Sequence, residues 1–173
     1  MRKSCIPNIF TFINLSCGVL SILSVMYDRI DLSSIFILVA GLVDRYDGRV
    51  ARFLNVSSDL GKELDSLADL VSFGVAPSIL IYILFEFTNL GPKGSIGLIL
   101  LLLFPICGAF RLARYNTCDF DGVFTGIPIT IAGCLLALFA LFNLKAQSPI
   151  YIAIILMLAF SYLMISNFKL KKL

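Results

Sequence analysis

The chain has 173 residues, 59% of them hydrophobic, with 15 Phe, no Trp, no His, a mean hydropathy of +0.97 and a net charge of +3. Soluble domains lie nearer about 45–50% apolar, so this composition argues against a water-soluble fold and for a single helical domain packed in lipid. The cysteines, Cys5, Cys17, Cys107, Cys118 and Cys134, are odd in number and scattered through apolar runs, which argues against a disulfide framework or a zinc site.

The opening MRKSCIPNIF sets Arg2 and Lys3 ahead of an apolar stretch. No small-residue cleavage site follows, so the stretch reads as an uncleaved first helix, from about Pro7 to the interfacial turn at Asp28, Arg29 and Asp31. A second helix starts near Leu32, runs through IFILVAGLV and meets Asp44, Arg45, Asp47, Arg49 and Arg52 without a Gly-Pro break, so it continues past the membrane surface. After the polar loop NVSSD a third helix begins near Asp59. It carries Lys62, Glu63, Asp65 and Asp69 in its first turns and is apolar from Leu70 to Phe87. TNLGPKGS is a turn by its Gly, Pro and Asn content, and a fourth apolar run, GLILLLLFPICGAF, leads into RLARYN. TCDFDGVFTG reads as a loop, a fifth span runs from about Ile127 to Phe142, NLKAQSP is a turn, and a sixth span ends at KLKKL. The expected fold is therefore an all-α integral membrane bundle of six transmembrane helices.

Orientation follows from the cations. Only Arg29, Lys93 and Lys145 of the 14 Lys and Arg fall on one side of that layout, which puts both termini and both charged loops in the cytoplasm by the positive-inside rule. The acids share this asymmetry, all but Asp28, Asp31 and Glu86 lying on the cytoplasmic side. The rule does not account for their clustering, and chemistry would.

Asp44 and Asp47 are three apart, Asp65 and Asp69 four apart, so each pair lies on one helix face, with a tight turn between the two helices. Converging carboxylates repel, and a hard divalent cation with oxygen ligands relieves that repulsion. With no His and no paired Cys to compete, Mg²⁺ or Mn²⁺ suits the site, and two such ions about 4 Å apart can clamp both oxygens of a phosphoryl transfer. Gly48, Ala51 and Gly61 keep space open beside these acids, and Arg52 carries a planar, permanently charged fork suited to a phosphate. A single Asp or Arg at a helix mouth is ordinarily just a solvated end.

Together, however, Asp44, Asp47, Gly48, Ala51, Arg52, Gly61, Asp65 and Asp69 satisfy D-x2-D-G-x2-A-R-x8-G-x3-D-x3-D at every position. This pattern resembles the signature of the CDP-alcohol phosphatidyltransferases. The resemblance implies a six-helix membrane fold, a homodimer, and two divalent metals that bind the diphosphate of a CDP-lipid. It also implies that Asp44, Asp47 and Asp65 are metal ligands, that Asp69 is both ligand and general base, and that Gly48, Ala51 and Arg52, with Gly61, face the CDP moiety. The segments IPNIFTFINLSCG, DSLADLVSFGVAPS, CGAFRLARYN and FTGIPIT further resemble the phosphatidylserine synthase branch. That branch implies CDP-diacylglycerol and L-serine as substrates and phosphatidylserine and CMP as products, with no nucleic-acid partner.

Serine brings a carboxylate and an ammonium. Arg111 and Arg114, three apart at the end of the fourth helix, are either the carboxylate's partners or positive-inside anchors. Glu63 and Asn116 are candidates for the ammonium. Asn8, Thr11 and Asn14 form a polar stripe on the first helix, suited to interhelical hydrogen bonds or to the nucleotide lipid, and the resemblance favours the latter. FTGIP either closes the site or merely starts the fifth helix. Two rivals remain: the same chemistry with glycerol 3-phosphate or an inositol phosphate as acceptor, and a cation transporter. A transporter would want its acids near the bilayer midplane, without Arg49, Arg52 and Lys62 beside them.

Overall fold

The computed structural model describes residues 5–54, 59–117, 124–146, 148–166 and 169–170; within these, the side chains of residues 5–7, 47–54, 124–125, 145 and 169–170 lie outside the described set. The chain forms six helical rods: α1 (Cys5–Met26), α2 (Ile30–Leu54), α3 (59–84), α4 (Ser95–Thr117), α5 (Ile129–Ala146) and α6 (Ile150–Ile165). Two single-turn 3₁₀ pieces, Phe87–Asn89 and Pro92–Gly94, occupy the turn expected between the third and fourth helices.

Three helical stretches, Asn8–Met26, Asp59–Leu84 and Pro92–Thr117, are long and apolar enough to cross a membrane, and Ile129–Leu144 and Ile150–Ile165 are apolar but shorter. The chain is thus a multi-pass membrane protein. At 25 residues α2 is about 37 Å long, more than the roughly 30 Å hydrocarbon core, so its charged half has length to stand clear of the lipid.

The first helix shows how the bundle is sorted. Among its described residues the buried positions are Thr11, Asn14, Cys17, Gly18, Ser21 and Val25, at helical spacing, whereas Ile9, Phe12, Ile13, Val19, Leu20 and Leu23 are exposed. Small and polar side chains turn inward and large apolar ones outward, as expected where lipid, not water, surrounds the protein. Ser21 and Ser33 share a buried 2.8 Å hydrogen bond across α1 and α2, the most extensive helix pairing in the fold.

The rod α3 is the hub. It touches α1, α2, α4 and α5, while α6 packs chiefly on α4. Unlike the uniform helix expected, α3 is α-helical over Asp59–Asp69, π-helical over Leu70–Val75 and α-helical again over Ala76–Leu84. Pro77 accounts for the change: it has no N–H to return to the Phe73 carbonyl, so the widened turn falls where an α-helical bond would be lost anyway. The Ala76 N–H reaches back to the Val71 carbonyl, and the Ser78 hydroxyl donates to the Val75 carbonyl at 2.8 Å. Two glycines let neighbouring backbones close on this segment. A Cβ on Gly18 of α1 would lie 2.5 Å from Ser72 Oγ, and one on Gly133 of α5 would lie 2.5 Å from the Phe73 oxygen.

Other boundaries shift by a few residues. Helix α5 begins at Ile129 and continues through Asn143 to Ala146, so the expected NLKAQSP turn shrinks to its last residues, where the Ser148 N–H donates to Asn143 Oδ1 at 2.5 Å. The sixth helix stops at Ile165 rather than running on to KLKKL. Lys169–Leu170 instead pairs antiparallel with Phe124–Thr125. Gly126, with φ +76°, packs there against the last carbonyls of α6, and the Ile127 N–H donates to the Leu163 carbonyl.

Candidate active site at the α2–α3 carboxylate cluster

Asp44 of α2 and Asp65 and Asp69 of α3 present carboxylate oxygens within 4.8 Å of one another. Asp44 and Asp65 are half-buried and Asp69 is buried. The convergence expected from the two spacings is therefore present for three of the four acids. Asp47 continues the α2 helix, as do Gly48, Ala51 and Arg52, but the side chains of all four lie outside the described residues. Gly61 stands one turn before Asp65 on α3, half-buried.

Two carboxylates 4–5 Å apart repel by roughly 3–4 kcal/mol at an effective dielectric of about 20. A cation held among them would relieve that repulsion. The donor set is all oxygen in a chain without His, which fits a hard divalent cation and not a soft one.

Around the cluster, Asn14 of α1 donates from Nδ2 to Asp69 Oδ1 at 2.9 Å, so the innermost member of the polar stripe meets the acids directly. Thr11 is buried on the same face, and Asn8 is half-buried nearer the helix start. Arg111 of α4 is buried, lies within electrostatic range of Asp69, and has its Nε without a hydrogen-bond partner among the described residues. A buried guanidinium N–H that the protein leaves unmatched suits an incoming carboxylate or phosphate. Arg114 is used differently: its guanidinium donates to the Ile165 carbonyl at 3.1 Å and so caps the end of α6. Asn116 joins α4 to α3, donating to Glu63 Oε1 at 3.2 Å and to Ser66 Oγ at 2.9 Å. Glu63 and Asn116, separate candidates in the sequence, thus form one polar group.

One polar neighbour of the site, Ser66, and one clamp between helices outside the acid cluster, Ser72, were missed by the sequence reading. Ser66 lies three residues after Glu63, on the polar side of α3. Ser72 falls three after Asp69, and its hydroxyl donates to the Asn14 carbonyl at 2.9 Å. Their positions relative to the acids were the available signal, but serines inside membrane helices are too common for spacing to single them out.

The architecture is a multi-pass helical bundle with an all-oxygen acid cluster, where two helices meet, that could hold a metal ion. Residues 4–166 match the family model described as CDP-alcohol phosphatidyltransferase. The chain belongs to the CDP-alcohol phosphatidyltransferase family. It is 42% identical over 166 residues to the CDP-diacylglycerol–serine O-phosphatidyltransferase of Bacillus subtilis (strain 168), covering 95% of this chain and 88% of that one. It is 36% identical over 173 residues to the protein of that name in Helicobacter pylori (strain 26695), covering 94% and 70%. With the one from Methanocaldococcus jannaschii it shares 38% over 167 residues, covering 96% and 74%.

Proposed function

We propose that this chain transfers the phosphatidyl group of CDP-diacylglycerol to the hydroxyl of L-serine, giving phosphatidylserine and CMP. The observation that carries this reading is the Asp44, Asp65 and Asp69 cluster, formed by the signature residues themselves and flanked by Arg111. The names of the relatives at 36–42% identity support serine as the acceptor.

In this mechanism Asp44, Asp47, Asp65 and Asp69 would hold two divalent cations, Mg²⁺ or Mn²⁺, which when bound would neutralise the diphosphate and the charge that develops on departing CMP. Gly48, Ala51 and Gly61 leave room for the nucleotide, Arg52 pairs with its phosphate, and the stripe of Asn8, Thr11 and Asn14 lines the α1 side. Asp69 removes the proton from the serine hydroxyl. The serine oxygen then bonds to the phosphorus that carries diacylglycerol, the bond from that phosphorus to the CMP oxygen breaks, and CMP leaves. Direct displacement inverts the phosphorus, whereas a covalent carboxylate intermediate would retain its configuration. Arg111 takes the serine carboxylate, Arg114 ties α4 to the end of α6, and Glu63 with Asn116 takes the ammonium. The acyl chains stay in the cytoplasmic leaflet, both termini face the cytoplasm, and the chain works as a single-domain homodimer.

The test is purified protein with CDP-diacylglycerol, Mn²⁺ or Mg²⁺, and labelled serine or glycerol 3-phosphate in parallel. Label in lipid from serine alone is expected. Label from glycerol 3-phosphate alone overturns the serine assignment.

A further inference from the structure

Asn14 sits on a helix that carries none of the signature acids, yet its Nδ2 donates to Asp69 Oδ1 at 2.9 Å, with Asn14 at 1% exposure and Asp69 at 8%. Its backbone is held separately. Ser72 Oγ donates to the Asn14 carbonyl at 2.9 Å, and Gly18 one turn further along α1 permits the approach, since its Cβ would collide with Ser72. Two buried hydrogen bonds of equal length therefore join α1 to α3, and only the one through the Asn14 side chain touches the acid cluster.

The orientation of the amide is informative. Nδ2 faces a carboxyl oxygen of Asp69, while the buried Oδ1 of Asn14 has no partner among the described residues. A bare buried acceptor is unfavourable, so the amide is turned to suit Asp69 rather than itself. The Asp χ2 torsion is broad, and without a fixed donor the two carboxylate oxygens would be free to trade places.

We infer that Asn14 is a positioning residue for Asp69, engaging one carboxylate oxygen from α1 so that the other is presented to the cluster with Asp44 and Asp65. This rests on the proposed function and sharpens it: the inner end of the α1 stripe orients the base, whereas a stripe that only lined the nucleotide would act through substrate affinity.

The experiment compares Asn14→Ala with Ser72→Ala in the full chain, since each deletes one bond between α1 and α3 but only the first frees Asp69. Four quantities are read: kcat, KM for CDP-diacylglycerol, thermal midpoint, and Mn²⁺ affinity by electron paramagnetic resonance. Asn14→Ala is expected to lower kcat about 100-fold, to leave KM within about twofold and to weaken Mn²⁺ binding about tenfold. Ser72→Ala is expected to lower the midpoint comparably with little loss of kcat. Equal kcat losses in the two variants would reduce Asn14 to a helix clamp, and a raised KM with kcat retained would return it to the nucleotide lipid. If Asn14→Ala is not recovered folded, Asn14→Ser, whose side chain is too short to reach Asp69, is read in the same way. A wild-type protein inactive toward serine would count against the proposed function, while the Mn²⁺ affinities and midpoints would still decide the role of Asn14.

Discussion

The two ends of helix α2 carry similar residues and treat them in opposite ways. At its start, Arg29 and Asp31 face each other with two contacts of 3.2 Å, both side chains well exposed, and the hydrogen bond from Arg29 holds Asp31 below the usual carboxylate range. Each charge there has its opposite, and water screens both. At the other end, acid faces acid: Asp44 meets Asp65 and the buried Asp69. The contrast teaches that the number of charges at a membrane surface says little, whereas acids gathered within 4.8 Å of one another mark a candidate site for a divalent cation.

The comparison breaks most completely by removing divalent cations. Chelation with EDTA should take turnover to background, and Mn²⁺ or Mg²⁺ should restore it; activity that survives chelation would leave the cluster without its proposed role. Next in size, Asp69→Asn should cut kcat about 10³-fold while the protein elutes as wild type on gel filtration, and turnover near wild type would remove Asp69 as the base. Gly18→Ala should destabilise the bundle by about 1–3 kcal/mol through overpacking against Ser72. Thermal unfolding in detergent measures this, and an unchanged midpoint would show that α1 has room to move. At the small end, Asp31→Asn should leave turnover unchanged and lower the neutral-pH midpoint only slightly, since the side chain is well exposed. Because the folded pKa of Asp31 is lowered, whatever it contributes is present above the ordinary carboxylate pKa and lost as pH falls through the folded value. Melts of the two proteins should therefore coincide in acid, and a difference that grows on acidification would contradict this sign.

Much of this was legible beforehand. The six rods follow from apolar runs bounded by charge and turn residues, and the two Asp spacings place each pair on one helix face. Other features depend on neighbours. The π-helical turn arises where Pro77 withholds an N–H and where Gly18 and Gly133 let two other helices close on α3. Neither condition shows in hydropathy. Asn14 was readable as polar on an apolar helix, but whether it faced substrate, another helix or Asp69 depended on how α1 rotates against α3. Arg114 read as an anchor or a substrate ligand, and it caps α6 because the chain returns there from 51 residues away. The C-terminal residues looked like a helix continuing outward, and the pairing of Lys169–Leu170 with Phe124–Thr125 is likewise a contact between distant segments.

The sequence by itself determined that the chain lives in a membrane, where its helices lie, and which residues compose the signature, because hydropathy and short-range spacing are local properties. Only the tertiary structure decided that Asp44, Asp65 and Asp69 converge within 4.8 Å and that Asn14 holds Asp69. The first depends on how α2 meets α3 and the second on the close approach of α1 to α3 at Gly18 and Ser72, and both are set by packing between helices and not by the order of residues within any one of them.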